Sequence, residues 1–156
     1  PPLRYAYVYR LKQDFPELEI ILNGGVTSLD EAEAQLARVD GVMLGREVYH
    51  NPYLLAGVDG RFFNDSRTLP TRAGIVQQML PYIERELQGG CELKHITRHM
   101  LGLFQGVPGA RAWRRQLSHY GPGVGAGTEV VLAALEAVAE VSARGHAPAG
   151  IMQYHA

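Results

Sequence analysis

Two short apolar runs, each closing on a glycine-bearing turn, constrain this chain more than any other feature. The first reads Glu19-Ile20-Ile21-Leu22-Asn23-Gly24-Gly25 and the second Gly41-Val42-Met43-Leu44-Gly45-Arg46. Between them, Ser28-Leu29-Asp30-Glu31 spells a Ser-x-x-Glu capping box, and Leu29, Ala32, Leu36 and Val39 give one apolar stripe. The arrangement predicts a tight β-α-β unit with parallel strands and a right-handed crossover. Both strands then end on bare backbone at corresponding positions. Glycine lets an anion approach main-chain N–H groups, and the guanidinium of Arg46 matches phosphate oxygens. In a (β/α)₈ barrel the loops after the last two strands frequently bind phosphate. The pattern therefore predicts the end of such a barrel, with Asn23, Gly24, Gly25, Gly45 and Arg46 as the cofactor-binding residues. No Gly-x-Gly-x-x-Gly occurs. That argues against a dinucleotide Rossmann fold and for a phosphorylated cofactor such as FMN.

The flanking elements divide the chain into α/β and all-α parts. Arg4 to Phe15 reads as a helix with Val8, Leu11 and Phe15 on its apolar face, stopped by Pro16. Glu47 to Leu55 reads as a helical turn broken at His50-Asn51-Pro52, and the polar stretch Ala56 to Leu69 as a boundary. Beyond it the periodicity is helical. Ile75, Val76, Met79, Leu80, Ile83 and Leu87 mark one helix, with a kink expected at Pro81; Leu93, Ile96, Met100, Leu103 and Phe104 mark the next. Gly106-Val107-Pro108-Gly109 connects to a helix over Ala110 to His119. Gly121 to Gly127 reads as a loop, with Thr128 capping a final Ala/Val/Leu-rich helix. The expected organisation is residues 1–68 as the C-terminal part of a TIM barrel that binds a phosphorylated cofactor, 69–142 as a helical-bundle domain, and 143–156 as a disordered tail.

Composition narrows the function classes. No run of about 18 apolar residues exists, which excludes a membrane-spanning helix. The lone cysteine, Cys91, cannot form an internal disulfide and fits a reducing cytoplasm. The start at Pro1-Pro2 without an initiator Met sets the expectation of a fragment, and no charged-then-apolar leader suggests secretion. Net charge is −1, but it is segregated: between Glu92 and Glu129 there is no acidic residue, whereas Lys94, Arg98, Arg111, Arg114 and Arg115 all lie there, with His95, His99 and His119. Segregated positive charge is the footprint of a nucleic-acid partner. Arg111, Arg114 and Arg115 share one helical face, where like charges repel unless an anion meets them. Cys91, His95 and His99, spaced by four, form a rival constellation that could chelate zinc; without a fourth ligand the reading is no metal. Trp113 could stack on a base, but a single Trp in an amphipathic helix belongs more often to the core.

The segments Ile21 to Gly25, Gly41 to Pro52, Pro1 to Tyr5, His95 to Gly106 and Pro108 to Arg115 together resemble tRNA-dihydrouridine synthases, specifically the A type. The resemblance covers the chain to about Glu140, and the helical segment is its most specific part. It implies an FMN-dependent oxidoreductase that reduces the 5,6 double bond of uridines 20 and 20a in the tRNA D-loop, with NADPH as electron donor. It places FMN contacts on Asn23, Gly24, Gly25, Gly45 and Arg46, and subtype-distinguishing tRNA contacts on Arg111 and Arg114. Arg115, Lys94 and Arg98 join the expected tRNA surface through their charge. The family's catalytic cysteine belongs to the earlier part of the barrel, so no catalytic residue is expected here and Cys91 is not its counterpart. The expectations are an inactive fragment, and a cytoplasmic monomer when complete. Two other readings remain open on the residues: a stand-alone helical nucleic-acid-binding module, and an FMN barrel acting on a small metabolite.

Overall fold

The computed structural model describes residues 2–145, which divide into two compact units at Pro70 and Thr71. The first unit holds α1 (Tyr5–Asp14), β1 (Ile21–Asn23), α2 (Leu29–Leu36), β2 (Gly41–Met43), α3 (Arg46–His50), a 3₁₀ helix (Pro52–Gly57) and α4 (Val58–Phe62). β1 and β2 pair in parallel, with Ile21 opposite Gly41, Leu22 opposite Val42 and Asn23 opposite Met43. Strand alternation sends Leu22 and Val42 to one face. There Leu22, Val26, Ala32 and Val39 form the core, against which Tyr5, Val8, Tyr9, Leu44 and Phe62 pack. The opposite face carries Ile21 and Met43, both about half exposed.

The helix between the strands is capped from both directions. Ser28 Oγ accepts from the Glu31 N–H at 3.1 Å, as the capping box requires. The Glu31 carboxylate, however, reaches one residue further back than the standard box, accepting from the Thr27 N–H at 2.7 Å and its hydroxyl at 3.0 Å. Those bonds hold the Glu31 carboxyl below its ordinary pKa. The offset ties α2 to the glycine turn that precedes it.

Several expectations about this unit change. The face of α1 turned to the core is Tyr5, Val8 and Tyr9, while Leu11 and Phe15 are about half exposed. Tyr9 donates to Gln35 Oε1 on the neighbouring helix. Those tyrosines hydrogen-bond as well as pack, so with Val8 they displace the purely apolar stripe as the partly buried one. The stretch Ala56 to Leu69 is not wholly irregular. Pro52 starts a 3₁₀ turn and α4 follows directly, because Phe62 reaches the core and Arg61 pairs with Asp30 and Glu33 of α2.

The second unit holds α5 (Arg72–Gln88), α6 (Leu93–Thr97), α7 (Ala110–Tyr120) and α8 (Thr128–Gly145). Pro81 lies within α5 without ending it. Buried Val76, Ile83, Leu93, Ile96, Phe104, Trp113, Leu117, Val131 and Ala134 supply the interior. α7 packs most extensively on α8, and their approach depends on Gly109: its φ is +87°, and a Cβ there would lie 2.9 Å from Val138 Cγ1 and 3.0 Å from Val138 Cα.

The helix expected over Leu93 to Phe104 is cut short. α6 ends at Thr97, whose hydroxyl bonds back to the Leu93 carbonyl at 3.2 Å, and residues 98–106 follow as consecutive turns. Cys91 precedes α6 and His99 follows it, so the chelating face of Cys91, His95 and His99 does not form. Thr128 is the first residue of α8, not its cap; Glu129 Oε1 accepts the Gly127 N–H at 2.8 Å instead. α8 also continues to Gly145, so the first three residues of the expected tail are helical, and the rest of that tail lies outside the described residues. Among the described residues, no helix is long and apolar enough to cross a membrane.

Candidate functional site

The first unit builds one cleft from the ends of its two strands. The turn after β1 needs glycine twice over: φ is +118° at Gly24 and +70° at Gly25, a region that L side chains adopt only at a cost. At Gly25 there is also no room, since a Cβ would clash with Leu3 Cδ1 and meet the Tyr5 hydroxyl at 3.0 Å. The turn after β2 passes through Gly45 and enters α3 at once, so the Arg46 side chain leaves the chain at the end of the strand. The register that pairs Asn23 with Met43 brings these turns side by side.

The result is an open cleft of about 400 Å³ lined by Asn23, Gly24, Gly25, Gly45 and Arg46, together with Val26, Thr27, Met43, Glu47 and His50. All five residues expected to bind the cofactor are therefore brought to one place. Asn23 and Arg46 are exposed, and Arg46 forms no ion pair among the described residues. A free guanidinium beside two bare turns is a donor set for a phosphate. Glu47 brings a carboxylate to the same cleft, so charge alone does not define the site.

Five lining residues lie outside the expected binding set: Val26, Thr27, Met43 and Glu47 carry no binding motif, and His50, just past the phosphate loop, reads as a helix breaker first and as a residue that seats the cofactor second. His50 ends α3 and borders the cleft, while the Asn51 N–H bonds the Glu47 carbonyl at 2.7 Å. The signal that finds Met43 is its cross-strand pairing with Asn23, which needs the register as well as the sequence.

The second unit carries the basic surface. On α7 the buried Trp113 and Leu117 define one side, and Arg111, Arg114 and Arg115 are exposed on the other. Arg111 and Arg115 form no ion pair among the described residues. Arg114 Nη1 donates to Gln105 Oε1 at 3.2 Å. Arg98 is exposed in the turn after α6 and donates through Nε to His99 Nε2 at 3.0 Å. Lys94 differs from the others: it pairs with Glu92 at 2.6 Å, which neutralises it locally and holds the Glu92 carboxyl below its ordinary pKa. Trp113 is fully buried, its ring centroid 4.8 Å from that of Phe104 and its indole N–H bonded to the Met100 carbonyl at 2.9 Å, so it is a core residue and not a base-stacking platform. Among the described residues, no group of three or more His, Cys, Asp or Glu side chains could hold a metal ion.

Comparison with known proteins places these features in context. A family model described as dihydrouridine synthase (Dus) matches residues 1–139. The chain is 55% identical over 140 residues to a tRNA-dihydrouridine(20/20a) synthase of Escherichia coli K12, covering 90% of this chain and 41% of that protein. It is 54% identical over 138 residues to the protein of that name in Shewanella oneidensis, covering 88% of this chain and 41% of that protein. The Vibrio cholerae protein of the same name is 55% identical over 135 residues, covering 86% and 41% respectively. The chain thus spans about two-fifths of the length of the curated relatives it matches.

Proposed function

Because the chain belongs to the dihydrouridine synthase family, we propose that it is the C-terminal portion of a flavin-dependent enzyme that reduces uridines 20 and 20a of the tRNA D-loop to dihydrouridine. The observation that supports this most is the single cleft uniting Asn23, Gly24, Gly25, Gly45 and Arg46 at the ends of two parallel strands. FMN is the cofactor that fits. Its phosphate suits the bare main chain of the Gly24-Gly25 turn, and the Arg46 fork, without an ion pair among the described residues, supplies the charge. When bound, FMN supplies the hydride for uridine reduction, with NADPH as the electron source.

The chain's own residues hold and orient in this proposal. Asn23 offers an amide at the strand end, the two glycines admit the anion to the main chain, and Arg46 neutralises it. The acid-free face of α7, with Arg98 nearby in sequence, receives the phosphate backbone of tRNA; Lys94 contributes less because Glu92 holds it. Catalytic proton transfer belongs to a cysteine of the barrel outside this chain, and Cys91 in the helical unit does not replace it. The half-exposed Ile21 and Met43 on the open sheet face support completion of the barrel by that part, and the 156 residues alone are accordingly inactive. The complete enzyme acts as a monomer in the cytoplasm, where its tRNA substrate is met.

The full-length protein, purified and denatured, should release FMN identified by absorbance and mass. With NADPH it should convert uridines 20 and 20a in an unmodified tRNA transcript. A colourless full-length protein that still binds tRNA would replace this reading with a nucleic-acid-binding module.

A further inference from the structure

Three arginines share the exposed face of α7, but they are not equivalent. Arg111 and Arg115 have no ion-pair partner among the described residues, and their flexible stems leave the guanidinium free to sample many positions. Arg114 is tethered: Nη1 donates to Gln105 Oε1 at 3.2 Å, across nine residues of sequence. Gln105 itself belongs to a stretch without regular structure, residues 98–109, that is nonetheless fixed to the interior. The buried Trp113 indole bonds the Met100 carbonyl at 2.9 Å, and Arg72 Nε bonds the Leu103 carbonyl at 2.9 Å. Gln105 N–H bonds the Gly102 carbonyl at 2.9 Å. The acceptor that holds Arg114 is therefore mounted on a pinned loop.

From this juxtaposition we infer that Gln105 is a positioning residue for Arg114. It fixes one edge of the guanidinium so that the remaining N–H groups present a set orientation to one phosphate or base edge of the RNA, whereas Arg111 and Arg115 act as unoriented charges. The inference rests on the proposed tRNA-binding role of this face. A neutral amide suits this role because it accepts a hydrogen bond without cancelling the positive charge, as a carboxylate would. Preorganisation of this kind raises affinity by lowering the side-chain entropy lost on binding.

The test uses the full-length protein and an unmodified tRNA transcript, with dissociation constants measured over a range of salt concentrations for wild type, Gln105→Met, Arg114→Ala and the double variant. Gln105→Met keeps the length of the side chain and removes the acceptor. It should weaken binding about five-fold while leaving the slope of log affinity against log salt unchanged, since no charge is lost. Arg114→Ala should weaken binding and reduce that slope by about one. In the Arg114→Ala background the Gln105 change should have no further effect. Equal affinity for wild type and Gln105→Met, or effects that multiply in the double variant, would overturn the positioning role while leaving the RNA-binding face intact. If Arg111→Ala, Arg114→Ala and Arg115→Ala all leave affinity and slope unchanged, the RNA-binding reading fails, and the positioning role with it.

Discussion

The phenol of Tyr5 donates a hydrogen bond to the carbonyl of Gly24, joining the first helix to the turn that forms one wall of the cleft. The same hydroxyl stands 3.0 Å from where a Cβ on Gly25 would project. Tyr5 thus braces the first glycine and excludes a side chain at the second. A site that needs bare backbone at a strand end is kept bare by its neighbour as well as by its own φ.

Gly25→Ala should accordingly damage the turn twice. The alanine would adopt φ near +70°, a strain of about 1–2 kcal/mol. It would also displace Leu3 and the Tyr5 hydroxyl. Flavin retention by the full-length protein should fall sharply with a modest drop in melting temperature, and Tyr5→Phe should show a weaker version of both. A Gly25→Ala protein that retained flavin like wild type would show that the turn does not approach the cofactor.

Arg46→Ala tests the charge in the same cleft. A charge-assisted contact to phosphate is worth about 1.5–3 kcal/mol, so flavin affinity should fall about ten-fold or more. Arg46 is exposed and unpaired among the described residues, so melting temperature in the flavin-free form should not move. An unchanged flavin dissociation constant would remove Arg46 from the site.

How far sequence reasoning reached depends on whether the determining interactions are local. The β-α-β unit and the cap at Ser28 were readable because strand, cap and stripe are short-range signals, and the structure bears them out within two residues at the strands. The end of α6 at Thr97 was not, because Leu93, Ile96, Met100, Leu103 and Phe104 keep a helical spacing while the chain turns. Their burial is satisfied by packing and by bonds from Trp113 and Arg72, none of which is local. The bracing role of Tyr5 was equally invisible, since it acts over 19 residues. In the cleft, the glycines and Arg46 announced themselves by type, whereas Met43 reaches it only through register.

Asp40 should make the first unit sensitive to acid. Its carboxylate accepts the Ile20 N–H at 2.8 Å and pairs with Lys12 at 2.8 Å, and both contacts hold its pKa below the usual value, the Ile20 bond most. A carboxyl depressed in the folded state stabilises above its unfolded pKa, about 3.9, and loses that contribution as pH falls through the lower folded value. In urea unfolding of the full-length protein, Asp40→Asn should be less stable than wild type at pH 7, and the gap should narrow below about pH 4. A gap that does not change with pH would mean that Lys12 and Ile20 gain nothing from the charge.

The last prediction concerns Arg111 and Arg115, the two arginines of α7 without an ion-pair partner among the described residues. Three exposed guanidinium groups on one helical face repel one another, so the free protein carries a small cost that an anion relieves. If each contacts a tRNA phosphate, replacing one by Ala should lower the slope of log affinity against log salt by about one, and replacing both by about two. Affinity at low salt should fall far more than affinity at high salt. Thermal stability should hold or rise slightly, because a like-charge contact has been removed and no buried group disturbed. Flavin reduction by NADPH in the complete enzyme should be unaffected, since the turns proposed to bind flavin belong to the other unit. Tighter tRNA binding by the double variant, or an unchanged salt slope, would mean that this face meets solvent and not RNA.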